Sequence, residues 1–261
     1  MNYAVVQKDL EPPRLDQLRA AFREVHGLTE IDAHMMGNDA FGVLVKGFDA
    51  DRAQSLAAAL ARQGFASEVV AESELPELPQ ARQVHRFDCL PDALLIYDPL
   101  NRSFPLPWAN VLMIAAGKVP MVEFERVEKP VFVLPQISPY SPYRINDQYT
   151  TRTVRQTEEA LPNRLLLEVI ITGAALRYCV IADHSRSLFN GLGDRRTCDL
   201  DSNFALLVQD IIAQAPGAAL NRGAYYFREN SAKPFIYPNK SAFYREMTWL
   251  LWKLAGAQPA A

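Results

Sequence analysis

The chain has 261 residues, 49% of them hydrophobic and 22% charged, with 27 Lys and Arg against 30 Asp and Glu for a net charge of −3. This is the composition of a globular protein with enough length for more than one core. It supplies no global positive field to draw in nucleic acid or an anionic membrane, and no apolar run reaches the ~18 residues of a spanning helix.

In chain order, YAVVQ (3–7) reads as a short strand, followed by a helix in which Leu15, Leu18, Phe22 and Val25 recur at helical spacing. The opening stretch MNYAVVQKDLEPPR lacks the basic, apolar and small-residue succession of a secretory signal, so a cytoplasmic setting is expected. TEIDAHMM (29–36) alternates Ile31, Ala33 and Met35 with Glu30, Asp32 and His34, which predicts a strand with one wet face. AFGVLVKGF (40–48) predicts a second strand of this pair. Asp49 is placed to cap a helix carrying Ala53, Leu56, Ala57 and Leu60, Gly64 to stop it, and FASEVV (65–70) to close the unit.

Strand–helix–strand–strand–helix–strand is the ferredoxin-like order, expected over residues 1–73. RNA recognition on such a unit needs basic charge and stacking aromatics. Here seven Lys and Arg face eleven Asp and Glu, and Val43 and Val45 stand where aromatics would be wanted. Soft-metal carriage needs paired thiolates, and the unit has no cysteine. Cys89, Cys179 and Cys198 are too scattered for a disulfide framework or a zinc site. His34 with Glu30 and Asp32 reads as a solvated strand face rather than a ligand set. The stretch VLVKGFDADRAQSLAAALARQGFASEVV (43–70) resembles the second half of a SPOR repeat, which implies binding of bacterial wall glycan.

ESELPELPQ (72–80) is acidic and punctuated by prolines, predicting a stiff connector over 74–81. Strands follow at VHRFDCL and ALLIYD, joined by Pro91-Asp92, then within FPLPWANVLMIAAGKV and MVEFERV. RLLLEVIIT and LRYCVIAD predict a hairpin about Gly173, and SLFNGL a further short strand. Asp201-Ser202 is read as the cap of a helix with Phe204, Leu207, Val208, Ile211 and Ala215 inward, ended by Pro216-Gly217. SAFYREMTWLLWKL (241–254) is a helix whose Trp249 and Trp252 widen its apolar surface beyond one stripe, so burial on more than one side is expected.

Strands followed by one amphipathic helix over 84–215, with LPWANVLMIAAGKV as a strand pair, resemble a bacterial pleckstrin-homology (PH)-like or GRAM-like domain. The expected fold class is therefore α+β: a ferredoxin-like βαββαβ domain, then a PH-like β-barrel or sandwich domain (82–255) with a capping helix and a C-terminal helix. The resemblance implies recognition rather than catalysis. Phosphoinositide binding is not expected, because the loop DCLPDA offers Asp88 and Asp92 where phosphates need Lys and Arg. Trp108 is read as a core or half-core residue rather than a ligand contact.

Two stretches stand out. RYCVIADHSRS (177–187) gathers Arg177, Cys179, Asp183 and His184. On one strand Cys179 and Asp183 share a face, whereas His184 points the other way, so the cluster reads as a strand end and turn. An enzyme drawing on it in an inter-domain pocket is the alternative. Residues 126–163 hold five prolines and Tyr140, Tyr143 and Tyr149, with Arg144, Arg152 and Arg155. So long an inserted loop is unusual in a compact domain, and its Tyr and Arg residues suit an interface. It predicts a protein partner or self-association through Tyr140, Tyr143, Arg144 and Tyr149. No catalytic residue, metal site or cofactor is expected, since the chain lacks a Gly-rich phosphate loop, a nucleophile elbow and a metal-ligand pair.

Overall fold

The structure is a computed structural model that describes residues 1–37, 40–121, 123–133, 150–160, 162–173, 176–182, 186–229 and 234–257. It is α+β. Residues 1–120 and 163–261 make one compact unit, the body, and residues 121–162 make a second.

The body begins with β1 (Tyr3–Gln7), α1 (Leu15–Arg23), α2 (Glu30–Gly37), β2 (Val43–Phe48), α3 (Ala50–Arg62) and β3 (Ser67–Ala71). β1 is central and antiparallel to both neighbours, in the order β2-β1-β3. The expected second strand at 29–36 is thus corrected to a helix, and the sheet has three strands instead of the ferredoxin-like four. The cause is at the helix start. Thr29 donates from N and Oγ1 to Asp32 Oδ2, and Asp32 N donates back to Thr29 Oγ1, a reciprocal cap that outweighs alternation. The alternation carried no burial, since Ile31 is 70% exposed while Ala33 is buried. α3 follows the sequence reading: Asp49 accepts from Arg52 N, and Gly64 takes φ +75° after the helix.

A 3-10 turn at 72–74 leads to β4 (Gln80–Gln83), β5 (Arg86–Cys89), β6 (Ala93–Tyr97), β7 (Ser103–Pro107) and β8 (Val111–Pro120). After the second unit, which contains β9 (Glu123–Val133) and β10 (Thr150–Ala160), come β11 (Asn163–Ile171) and β12 (Leu176–Ala182). A 3-10 segment at 186–195 replaces the strand expected at SLFNGL. α4 (Leu200–Gln214), β13 (Ala219–Leu220), α5 (Arg222–Arg228) and α6 (Lys240–Ala257) complete the chain. α4 is capped by Asp199, whose side chain accepts from Ser202 N, two residues before the expected cap.

β5, β6 and β7 form an antiparallel meander, and a mixed sheet runs β13-β8-β11-β12-β4. Among the described residues these sheets stay open, so the expected barrel does not close. Strict alternation gives the mixed sheet two apolar faces. Ile114, Ala116, Leu165, Leu167, Val169, Tyr178 and Val180 join a core with the meander, α4 and α5. Met113, Ala115, Leu166, Ile170 and Cys179 pack against Phe243 and Met247 of α6. The opposite side of α6 inserts Trp249 among Ala4, Val6, Val43 and Val70 of the N-terminal sheet and the flanking Phe41 and Leu75. α6 is therefore shared by two sheets, as its widened apolar surface predicts.

In the second unit β9 and β10 pair antiparallel over eleven positions, from Thr150 opposite Val133 to Ala160 opposite Glu123. The flanks of the expected loop are therefore strands. Within the body, Pro120 and Asn163 are register partners at the ends of β8 and β11. The insertion thus leaves and returns at neighbouring points.

Candidate functional site

Of the residues singled out at 177–187, Arg177 and Cys179 lie on β12, while Asp183 and His184 fall outside the described residues. Cys179 stands opposite Glu168 in the β11–β12 register. Glu168, fully buried on the α6 side of the sheet, lies 2.7 Å from Arg177 Nε through its Oε2. That contact is an ion pair off the hydrogen-bonding line, since neither atom has an aligned bond. Glu168 Oε1 accepts from Tyr244 of α6 at 3.0 Å. Arg177 Nη1 donates to Pro79 O at 2.5 Å, and its guanidinium lies 4.9 Å from the Tyr244 ring centre.

Burial pushes Glu168 above the ordinary carboxylate range, with Arg177 pulling the other way. Burial also pushes the Cys179 thiol up to about 12, helped by the Glu168 carboxylate. A nucleophile needs the thiolate, and this sulfur is a buried neutral thiol. Cys89 is likewise pushed up to about 12 by burial and by Asp210 and Asp88. The cluster ties β11, β12, α6 and the residues before β4 together, which is a structural task.

A second buried network, absent from the sequence reading, joins β8, α5 and α6. Asn221 Oδ1 accepts from Ala116 N and Ala224 N, and its Nδ2 donates to Ala116 O and Tyr237 Oη. Tyr237 donates to Glu246 Oε2, and Glu246 accepts from Arg222 N and Nε. Burial, then Glu246, raises the Tyr237 phenol well above its usual range. The Arg222 guanidinium lies 3.7 Å from the Phe41 ring centre, linking α5 to the N-terminal sheet region. Gly223 approaches so closely that a Cβ there would lie 1.8 Å from Ala116 O. The sequence signals were a lone Glu inside RLLLEVIIT and the run Asn221-Arg222-Gly223.

Among the described residues, two clefts on the body are lined as follows. One, of about 300 Å³, lies between Trp108, Val111, Leu112 and the 214–218 loop, with Thr172 and Gln214 as its polar side chains. Trp108 is half-buried, packs against the core and donates to Leu90 O at 3.0 Å. The other, of about 420 Å³, is lined by Glu24, His26, Asp49, Asp51, Arg52 and Ser55. Much of its polar chemistry is committed: Asp49 caps α3, Glu24 pairs with Arg62, and Arg52 donates to Gly27 O. Neither cleft includes Arg177, Cys179 or Glu168.

Among the described residues no group of three His, Cys, Asp or Glu is placed to hold a metal ion. Glu30 pairs with Arg23 and Asp32 caps α2, so the expected strand-face trio does not form as such. No helix among the described residues is long and apolar enough to cross a membrane. The residues expected at an interface, Tyr140, Tyr143, Arg144 and Tyr149, lie outside the described residues, between β9 and β10 in the sequence. Comparison of the chain with protein-family models, curated proteins and solved structures finds no match.

Proposed function

We propose that the protein is a non-enzymatic binding or adaptor protein that recognises a protein or peptide partner through the 121–162 unit. The observation that carries this reading is the separation of that unit, which has its own eleven-position ladder and joins the body through Pro120 and Asn163. A segment that leaves and returns at one point of a sheet can be shaped by its partner without disturbing the body's core. Its sequence between the strands supplies Tyr140, Tyr143, Arg144 and Tyr149, residue types that dominate binding energy at interfaces. The body supports the same reading from the opposite direction: its buried Glu168, Arg177 and Glu246 are engaged in inter-element ties, and the buried Cys179 and half-buried Cys89 thiols are held neutral.

In the finer fold reading, residues 84–215 are a PH-like module in open form. Its support is the order meander, β8, β11, β12, α4 around one core. A cytoplasmic setting accords with the unpaired state of Cys89, Cys179 and Cys198. Affinity capture from the native host tests the proposal, using the full chain and its Tyr140→Ala/Tyr143→Ala/Arg144→Ala/Tyr149→Ala variant. The full chain is expected to hold a partner that the variant loses. A partner held equally by both would move the recognition site off this segment.

A further inference from the structure

The ladder of the second unit has two strands, and among the described residues no third strand bonds to either edge. A two-stranded ladder alone is marginal in water, and an open strand edge is a template for another strand. The two edges are not equivalent. β9 carries Pro130, which has no N–H to offer a neighbour and marks an edge closed to strand addition. β10 has neither Pro nor Gly and includes the β-branched residues Thr150, Thr151, Thr153, Val154 and Thr157.

The charges of β10 are ordered along the strand. Arg152 and Arg155 occupy its first half, Glu158 and Glu159 its second. A parallel copy would set like charges side by side. An antiparallel copy sets the arginines of one strand toward the glutamates of the other, the arrangement that stabilises cross-strand pairs. Two-fold symmetry also requires identical paired strands to run antiparallel, so charge order and symmetry select the same geometry.

We infer that β10 is a self-association edge: two copies of this chain pair β10 to β10 antiparallel, making one four-stranded sheet with β9 at each outer side. The inference rests on the reading of 121–162 as the binding unit and names a second copy of the chain as an occupant of its edge.

Sedimentation of the full chain over a concentration series tests it, with reversible dimers expected that weaken as salt is raised. Glu158→Lys/Glu159→Lys makes the strand wholly basic, and Arg152→Glu/Arg155→Glu makes it wholly acidic. Each variant alone should dimerise about tenfold more weakly, the scale of opposite-charge pairs turned into like-charge pairs. An equimolar mixture of the two should recover association as a heterodimer. Thr153→Pro, which leaves the charges intact, should abolish the dimer. Far-UV circular dichroism of each variant reports that the body is folded.

A chain that stays monomeric at every concentration overturns the inference, as does a dimer indifferent to both charge reversals. A monomer that still loses its captured partner on substitution of the tyrosines removes self-association and leaves the recognition reading standing. A β10 dimer that captures no other protein supports self-association and removes the recognition of a different partner.

Discussion

A carboxylate without exposed surface in the middle of an aliphatic strand has to be held, and Glu168 is held by Arg177 and Tyr244. Removing one member of such a pair leaves a charge buried without its counter-charge. Arg177→Met should therefore cost about 3 kcal/mol in urea unfolding at neutral pH, while Glu168→Gln/Arg177→Met, which removes both charges, should recover most of it. Glu168 also sets a pH dependence. Its folded pKa lies above the ordinary 4.5, so the native state holds the proton more tightly than the unfolded chain. The cost of the ionised form is complete above the folded pKa and is relieved as pH falls through it. Stability should therefore rise as pH drops from neutral toward the ordinary glutamate range, and this rise should vanish in Glu168→Gln. Asp98 and Asp199, held low by hydrogen bonds from Arg102 and Ser202, act in the opposite sense. They withdraw stability only when pH falls below the ordinary aspartate range. Gly223 is constrained by space: Gly223→Ala drives a methyl into Ala116 O. It should destabilise by about 3 kcal/mol, at the upper end for overpacking, because the obstacle is backbone.

Among the elements, α6 does most to unify the body. Trp249 is 1% exposed, donates from Nε1 to Gln7 O at 2.8 Å and meets Phe41 edge-on, while Phe243 and Met247 face the mixed sheet. Trp249→Ala should cost about 3–5 kcal/mol. It should do so in one cooperative urea transition with an unchanged slope, because both sheets lose their shared support together. The two tryptophans made this two-sided burial legible in the sequence, just as apolar spacing revealed α1, α3 and α4. α2 was not legible from hydrophobic alternation, since Ile31 alternates without being buried and the decisive signal is the Thr29–Asp32 cap. β4 was hidden for a different reason. Its four exposed residues have no apolar pattern, and only parallel pairing with β12, nearly a hundred positions away, makes them a strand. The Glu168 and Asn221 networks escaped for that same reason. Each residue type is ordinary in the sequence, and what matters is a partner brought near by the sheet or by α6.

For the whole molecule, the proposed division of labour is a body that folds on its own networks and an inserted unit that meets the partner. The sequence showed where the insertion lies and which residues suit an interface, because prolines and tyrosines are local signals. It showed the start of β9 at MVEFERV but not the β9–β10 ladder, since β10 lacks the apolar alternation that marks a half-buried strand. Pro120 and Asn163 are opposite each other in the β8–β11 register, so 121–162 can be replaced by Asn-Gly, the two-residue turn suited to a hairpin. The shortened body should keep its unfolding free energy within about 1 kcal/mol, as expected when none of the described core residues is removed. The most direct test is affinity capture from the native host with this shortened, folded body beside the full chain. A partner is expected on the full chain and none on the body. The same partner retained by the body would contradict it and return the search to the clefts beside Trp108 and His26.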